Sequence, residues 1–130
     1  MTQSYDFGLG PTPAARHINP NGEPGGWIAL TATVHRSATI HRAALVFGRA
    51  RISARALILA NSKIYDHAYI SIAAYVGEEC VVRDNAFLGQ AAHIEAGVNL
   101  SGRARIGANS HISGPLSIGG AVEVSPNTHL

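Results

Sequence analysis

Every sixth residue from Val34 onward is Val, Ile or Leu: Val34, Ile40, Val46, Ile52, Ile58, Ile64, Ile70, Val76, Val82, Leu88, Ile94, Leu100, Ile106, Ile112, Ile118, Val124 and Leu130. A second, mostly small column stands two residues ahead of each. It runs from Ala32 through Ala38, Ala44, Ala50, Ala56, Ser62, Ala68, Ala74 and Cys80 to Ala104 and Ser110, and ends in Leu116, Val122 and Thr128. Two residues is the repeat of a strand, so both columns point to the same side. A spacing of six drifts around a helical turn of about 3.6 residues, which excludes a helix. A sheet of hairpins would need Gly-rich reversals and would not hold this register.

The arrangement that satisfies both columns is a triangular coil of three short strands, each with a small and a branched residue pointing inward. Three hexads make 18 residues per coil, and the repeat supplies between five and six coils over residues 28–130. Successive coils would stack at about 4.8 Å through backbone hydrogen bonds. Residues 1–27 are rich in Gly, Pro and Asn (FGLGPTP, NPNGEPGG) and are expected to be an irregular cap, with Trp27 and Ile28 plugging the prism. Gly77, Gly89, Gly107 and Gly119 follow inward aliphatics, where a permissive backbone would help the chain enter a corner.

Composition bounds the rest. A chain of 130 residues is one domain, and ten Lys plus Arg against eight Asp plus Glu leave a net charge of +2, too small to imply a partner. That balance also argues against a nucleic-acid mimic. Cys80 is the one cysteine and falls in the inward column, so it reads as an inert core residue, and cytoplasm is the expected location. The N-terminus has neither a basic start nor an apolar core, and no stretch reaches the roughly 18 apolar residues of a membrane span, so no membrane partner is expected.

The unbroken hexad register resembles the hexapeptide-repeat family, the left-handed parallel β-helix of bacterial acyltransferases and gamma-class carbonic anhydrases. The resemblance covers residues 32–130. GRARI (48–52), GRARIGANSHI (102–112) and EPGGWIA (23–29) resemble a subgroup of bacterial and phage-borne transferase-like proteins. The implied fold is all-β, a left-handed parallel β-helix. The implied assembly is a homo-oligomer, a trimer by lateral pairing of faces, with an end-to-end dimer as the alternative at the uncapped last coil and Leu130.

Family members with transferase activity usually interrupt the coils with a loop that walls the pocket, and here nothing interrupts Val34 to Leu130. Without that wall, no cavity of the few hundred Å³ that coenzyme A needs is expected, so the reading leans away from an enzyme and names no cofactor. The zinc anhydrases place two of their three ligands five residues apart. His17, His35, His41, His67, His93, His111 and His129 contain no such pair. The leading expectation is a non-enzymatic, self-associating structural protein that presents a flat surface to a macromolecular partner, a protein of the host if the chain is phage-encoded. The alternative is a minimal hexapeptide-repeat enzyme, acyltransferase-like or metal-dependent, with its site at a subunit interface.

Stacking turns outward residues into columns spaced by 18. Leu45, Phe47, Tyr65 and Val81 on one face, and Leu57, Leu59 and Tyr75 on another, are candidate interface patches. His93, His111 and His129 form a column whose imidazoles could share a metal, with Glu95 the nearby carboxylate. Arg51, Tyr69, Phe87 and Arg105 form a stacking column suited to a partner or a planar ligand. Arg36, Arg42, Arg49, Arg51 and Arg55 ring the N-terminal third with no acid among them, a collar for an acidic protein surface or, as a further alternative, for nucleic acid.

Overall fold

The computed structural model describes residues 3–130, and all regular structure among them is β. Most strands are two or three residues long, because each wall of the prism is a single hexad. Partners lie one coil apart in sequence: Val46 pairs with Ile64, Ile58 with Val76 and Ile70 with Leu88, all in parallel. The result is a left-handed parallel β-helix of about 5 turns with three walls. We name them for what they carry: a cap wall, a ladder wall and a histidine wall. Among the described residues, no helix is long and apolar enough to cross a membrane.

The inward columns form one continuous core. Ile40, Ile58, Ile70, Ile94 and Ile112 are fully buried, as are Ala38, Ala74 and Cys80. Each buried aliphatic contributes about 1.5–3 kcal/mol, so the repeat itself supplies the drive to fold. The column opens at its ends, where Val34 and Val124 are half-covered and Leu130 is 59% exposed. Two serines occupy small inward positions without loss. Ser62 Oγ donates to Gly77 O at 2.6 Å and accepts from Cys80 N at 3.2 Å, and Ser110 Oγ does the same with Ser125 O and Thr128 N.

Corners are made by residues in the left-handed region, stacked one per coil at Gly48, Asp66, Asp84, Gly102 and Gly120 with φ between 58° and 65°. The two aspartates brace the next coil, since Asp66 Oδ2 accepts from Asp84 N and Asp84 Oδ2 from Gly102 N. Gly77, Gly89, Gly107 and Gly119, expected to supply that freedom, have no positive φ. They supply clearance instead: a Cβ on Gly77 would lie 2.6 Å from Glu95 Cβ, and one on Gly89 would lie 2.5 Å from Ile106 O.

The N-terminal segment departs from the irregular cap expected of it. Strands β1 (Gln3–Asp6), β2 (Pro11–Ile18) and β3 (Pro24–Ala29) form an antiparallel meander, and β3 then pairs in parallel with Leu45–Val46. Gly8 and Gly10 fall in the first turn and Asn19, Pro20, Asn21 and Gly22 in the second, whereas Pro11, Pro13, Pro24, Gly25 and Gly26 lie in the strands. Asp6 Oδ1 accepts from Gly8 N and Gly10 N in the first, and Asn19 and Gly22 close the second through Gly22 N to Asn19 O at 2.8 Å. Ile28 packs against the end of the core as foreseen. Trp27 does not plug the prism. It lies beside Leu45 on the outer face, stacked on Tyr5 at 5.1 Å with the Arg16 guanidinium 5.1 Å from its ring.

Candidate functional site

The histidine wall is built from five parallel strands whose first outward positions are Thr39, Leu57, Tyr75, His93 and His111, with His129 bridged beyond. In each rung the inward aliphatic fixes the strand, and the residues on either side of it both face outward. Thus Ile94 anchors His93 and Glu95 on the same surface, and Ile112 anchors His111 and Ser113 one coil on. Gly77 sits where a side chain would crowd Glu95, which leaves the carboxylate room to lie among the rings.

The rings stack closely: Tyr75 to His93 at 3.8 Å and His93 to His111 at 4.4 Å between centroids. Glu95 lies alongside. His111 Nε2 donates to Glu95 Oε1 at 2.9 Å, and Ser113 Oγ donates to the same oxygen at 3.3 Å. His93 Nε2 is 3.4 Å from Glu95 Oε2, within ion-pair reach yet without hydrogen-bond geometry, and that nitrogen is buried with no partner. The bond from His111 is the main reason the Glu95 carboxyl titrates below its usual range, with His93 and Ser113 adding to it. Burial is the main reason the His93 imidazole titrates below its usual range, with the nearby His111 reinforcing it. The wall therefore sets the Glu95 carboxylate against the Nε2–H of His111 and beside the His93 ring.

Metal-capable atoms converge in a different trio from the one the column suggested. Those of His93, Glu95 and His111 all lie within 4.8 Å of one another. His129 is exposed, its ring 6.0 Å from that of His111 and tilted by 52°, so the carboxylate takes the place foreseen for it. The signal was present in the sequence, because Glu95 is two residues from His93 on the same strand face. Only the side-chain direction was hidden.

At the other end of the same wall is a cavity of about 660 Å³. Leu57 and Leu59 line it together with His41 and Arg42 from the coils and Arg16, Asn19 and Glu23 from the meander. The sequence reading expected no wall for such a space. The second meander turn provides one, pinned by Asn19, whose side chain bonds both Ile40 O and Ile40 N, and by His17 Nε2 at 2.7 Å from Ala38 O. Arg16, Asn19 and Glu23 were missed because residues 1–27 had been assigned no regular backbone.

The other candidates are placed as follows. Leu45, Tyr65 and Val81 are half-buried on the cap wall, whereas Phe47 is only 8% exposed, covered by Phe7 at 4.8 Å and Tyr65 at 4.7 Å. Part of that patch is consumed by the chain itself. On the ladder wall, Tyr69 and Phe87 stack at 5.3 Å, the Arg51 guanidinium is 5.6 Å from the Tyr69 ring, and that of Arg105 is 4.5 Å from Phe87. Arg36, Arg42, Arg49 and Arg55 are exposed and take part in none of the ion pairs among the described residues.

No protein-family model matches the chain, and no curated protein is similar to it. Solved structures are. A perosamine N-acetyltransferase from Caulobacter crescentus, solved as a histidine-to-asparagine variant with CoA and GDP-perosamine, is 27% identical with a TM-score of 0.62. The match covers 76% of this chain and 49% of that one. A histidine-to-alanine variant of a GDP-perosamine N-acetyltransferase from the same organism, with the same two ligands, gives the same identity, TM-score and coverage. The chain thus spans about half the length of these structures. Its coils are similar to those of N-acetyltransferases solved with CoA bound, and that likeness corrects the expectation of a non-enzymatic interaction protein.

Proposed function

We propose that the chain is an acyltransferase of the hexapeptide-repeat type, moving an acyl group from a CoA thioester to an amine or hydroxyl, with His111 as general base and Glu95 as its partner. The observation that carries this reading is the His111 Nε2 to Glu95 Oε1 bond at 2.9 Å, in a chain whose fold is similar to that of CoA-bound acetyltransferases. A carboxylate holding one ring nitrogen fixes the tautomer and leaves the other to exchange protons. No described residue hydrogen-bonds His111 Nδ1. In the proposed step that nitrogen takes the proton of the acceptor N–H or O–H as the acceptor attacks the thioester carbonyl carbon. The C–S bond breaks as the tetrahedral adduct collapses, and the imidazolium returns its proton to the departing thiolate. Products are an amide or ester and free CoA.

The cavity fits the phosphate-bearing end of such a substrate. Its volume lies in the range of small-molecule sites, about 300–1,000 Å³, and Arg16, His41 and Arg42 line it together with Leu57, Ile58 and Leu59. Leu57 and His111 are three rungs apart, about 14 Å, a distance the flexible arm of CoA covers. The likeness of GRARI, GRARIGANSHI and EPGGWIA to bacterial and phage-borne transferase-like sequences is consistent with this reading. We take residues 28–130 as the catalytic prism and residues 1–27 as a cap that also shapes the cavity. Half-buried Tyr75 remains a proposed contact between copies of the chain, while Leu57 and Leu59 are assigned to the cavity.

The test is release of free thiol from acetyl-CoA, followed with a thiol reagent, across amino-sugar nucleotides and simple hydroxyl acceptors. Turnover that His111→Ala lowers by about 10²-fold or more is the expected result. No thiol release with any acceptor, together with no CoA binding in a calorimeter, would overturn the assignment.

A further inference from the structure

We infer that His93, Glu95 and His111 hold one zinc ion, and that the ion switches the transferase site off. The binding half stands on geometry alone. Two imidazoles and a carboxylate are the donor set of a three-ligand zinc site, which keeps its fourth position for solvent. Ligand atoms around tetrahedral zinc stand about 3.3 Å apart. Glu95 Oε1 lies 2.9 Å from His111 Nε2, Glu95 Oε2 lies 3.4 Å from His93 Nε2, and one ligand atom from each of the three residues falls within 4.8 Å of the others.

His93 Nε2 supplies the second observation. It is buried, has no hydrogen-bond partner, and lies beside the Glu95 carboxylate without bonding to it. A buried polar atom without a partner is costly, and a metal on its lone pair removes that cost. The groups around the trio suit an outer layer: the Tyr75 ring packs on His93, Ser113 Oγ steadies Glu95 Oε1, and Gly77 leaves the carboxylate clear. His129 stands outside it.

The inhibition half rests on the transferase reading. Zinc takes the lone pair of His111 Nε2, and the ring proton that bonded Glu95 moves to Nδ1. Nδ1 then has no lone pair to accept the acceptor's proton, and the carboxylate that supported the ring is taken by the metal.

The experiment uses the full chain, stripped with a chelator and titrated with zinc against a chromophoric indicator, with cobalt as a spectroscopic probe of coordination. The expected result is one zinc per chain at micromolar concentration or below and a cobalt spectrum of four-coordinate type. His93→Ala and the near-isosteric Glu95→Gln should each weaken binding by about tenfold or more, while His129→Ala leaves it unchanged. Circular dichroism checks that each variant is folded. Wild-type protein that takes up no zinc in this range, or a folded Glu95→Gln that binds as tightly as wild type, would overturn the site. Zinc should suppress acyl transfer by wild type. Zinc bound at one equivalent with transfer unaffected overturns the inhibition. Absence of transfer in zinc-free protein overturns the transferase reading instead and leaves the zinc site standing.

Discussion

The ladder wall and the histidine wall carry outward columns on the same core with the same rung spacing, yet they differ in what their polar atoms do. On the ladder wall each charge terminates within the wall: Arg51 on Tyr69, Arg105 on Phe87 and, at 3.9 Å, on Glu123, while Ser53 Oγ reaches the Tyr69 hydroxyl at 3.4 Å. The histidine wall stacks its rings more tightly and points their nitrogens at a single carboxylate, leaving one nitrogen unpartnered. Identical register therefore produces a brace in one place and a convergent cluster of polar atoms in the other. What decides is whether the donors and acceptors are consumed by their neighbours.

The largest effect expected on this contrast is chemical. Glu95→Gln should lower acyl transfer by about 10²–10⁴-fold, the range of general acid–base catalysis, while Arg105→Ala on the ladder wall leaves it intact. Thiol-release assays on both variants check this, and an equal loss in both would erase the distinction. Next come the footings of the two walls. Ile94→Ala and Ile70→Ala each remove a fully buried branched side chain and should each cost about 2–5 kcal/mol in urea unfolding. A large inequality between them would mean that the two walls do not stand on an equivalent core.

Clearance offers a subtler comparison. Gly77→Ala and Gly89→Ala both force a Cβ into the coil next to it, at an overpacking cost of about 1–3 kcal/mol. Only Gly77→Ala displaces Glu95, so only it should reduce transfer, measured against a thermal melt of each variant. The smallest effect belongs to the brace itself. A double-mutant cycle on Arg105 and Phe87 should return a coupling of about 0.5–1 kcal/mol, the value of a cation over an exposed ring, with transfer unaltered throughout.

The contrast also separates what could be read from the sequence from what could not. Inward positions such as Ile58 and Ile94 were legible because a period of six leaves an aliphatic no other place. The outward columns followed by adding 18. Direction within a column did not follow: nothing in the spacing says that the His93 and His111 nitrogens converge on Glu95 while His129 turns away, since that depends on side-chain torsions and on Gly77 making room. The meander was hidden for a different reason. Pro11 and Pro13 weaken the signature of a strand, and Gly8, Gly10 and Gly22 read as disorderly backbone, although each adopts the positive φ that a tight reversal needs. With the meander went the cavity, and with the cavity the reason to expect an enzyme.

The meander packs Ile28 against the first coil and borders the cavity with its turn. The cavity is therefore lined from two stretches of the chain, Arg16, Asn19 and Glu23 from the edge and His41, Arg42, Leu57 and Leu59 from the hexads. Asn19 cannot be exchanged without unpinning the turn from Ile40, whereas Glu23, whose carboxylate enters none of the ion pairs among the described residues, is the position at which the proposed site would be retuned while the scaffold stays as it is.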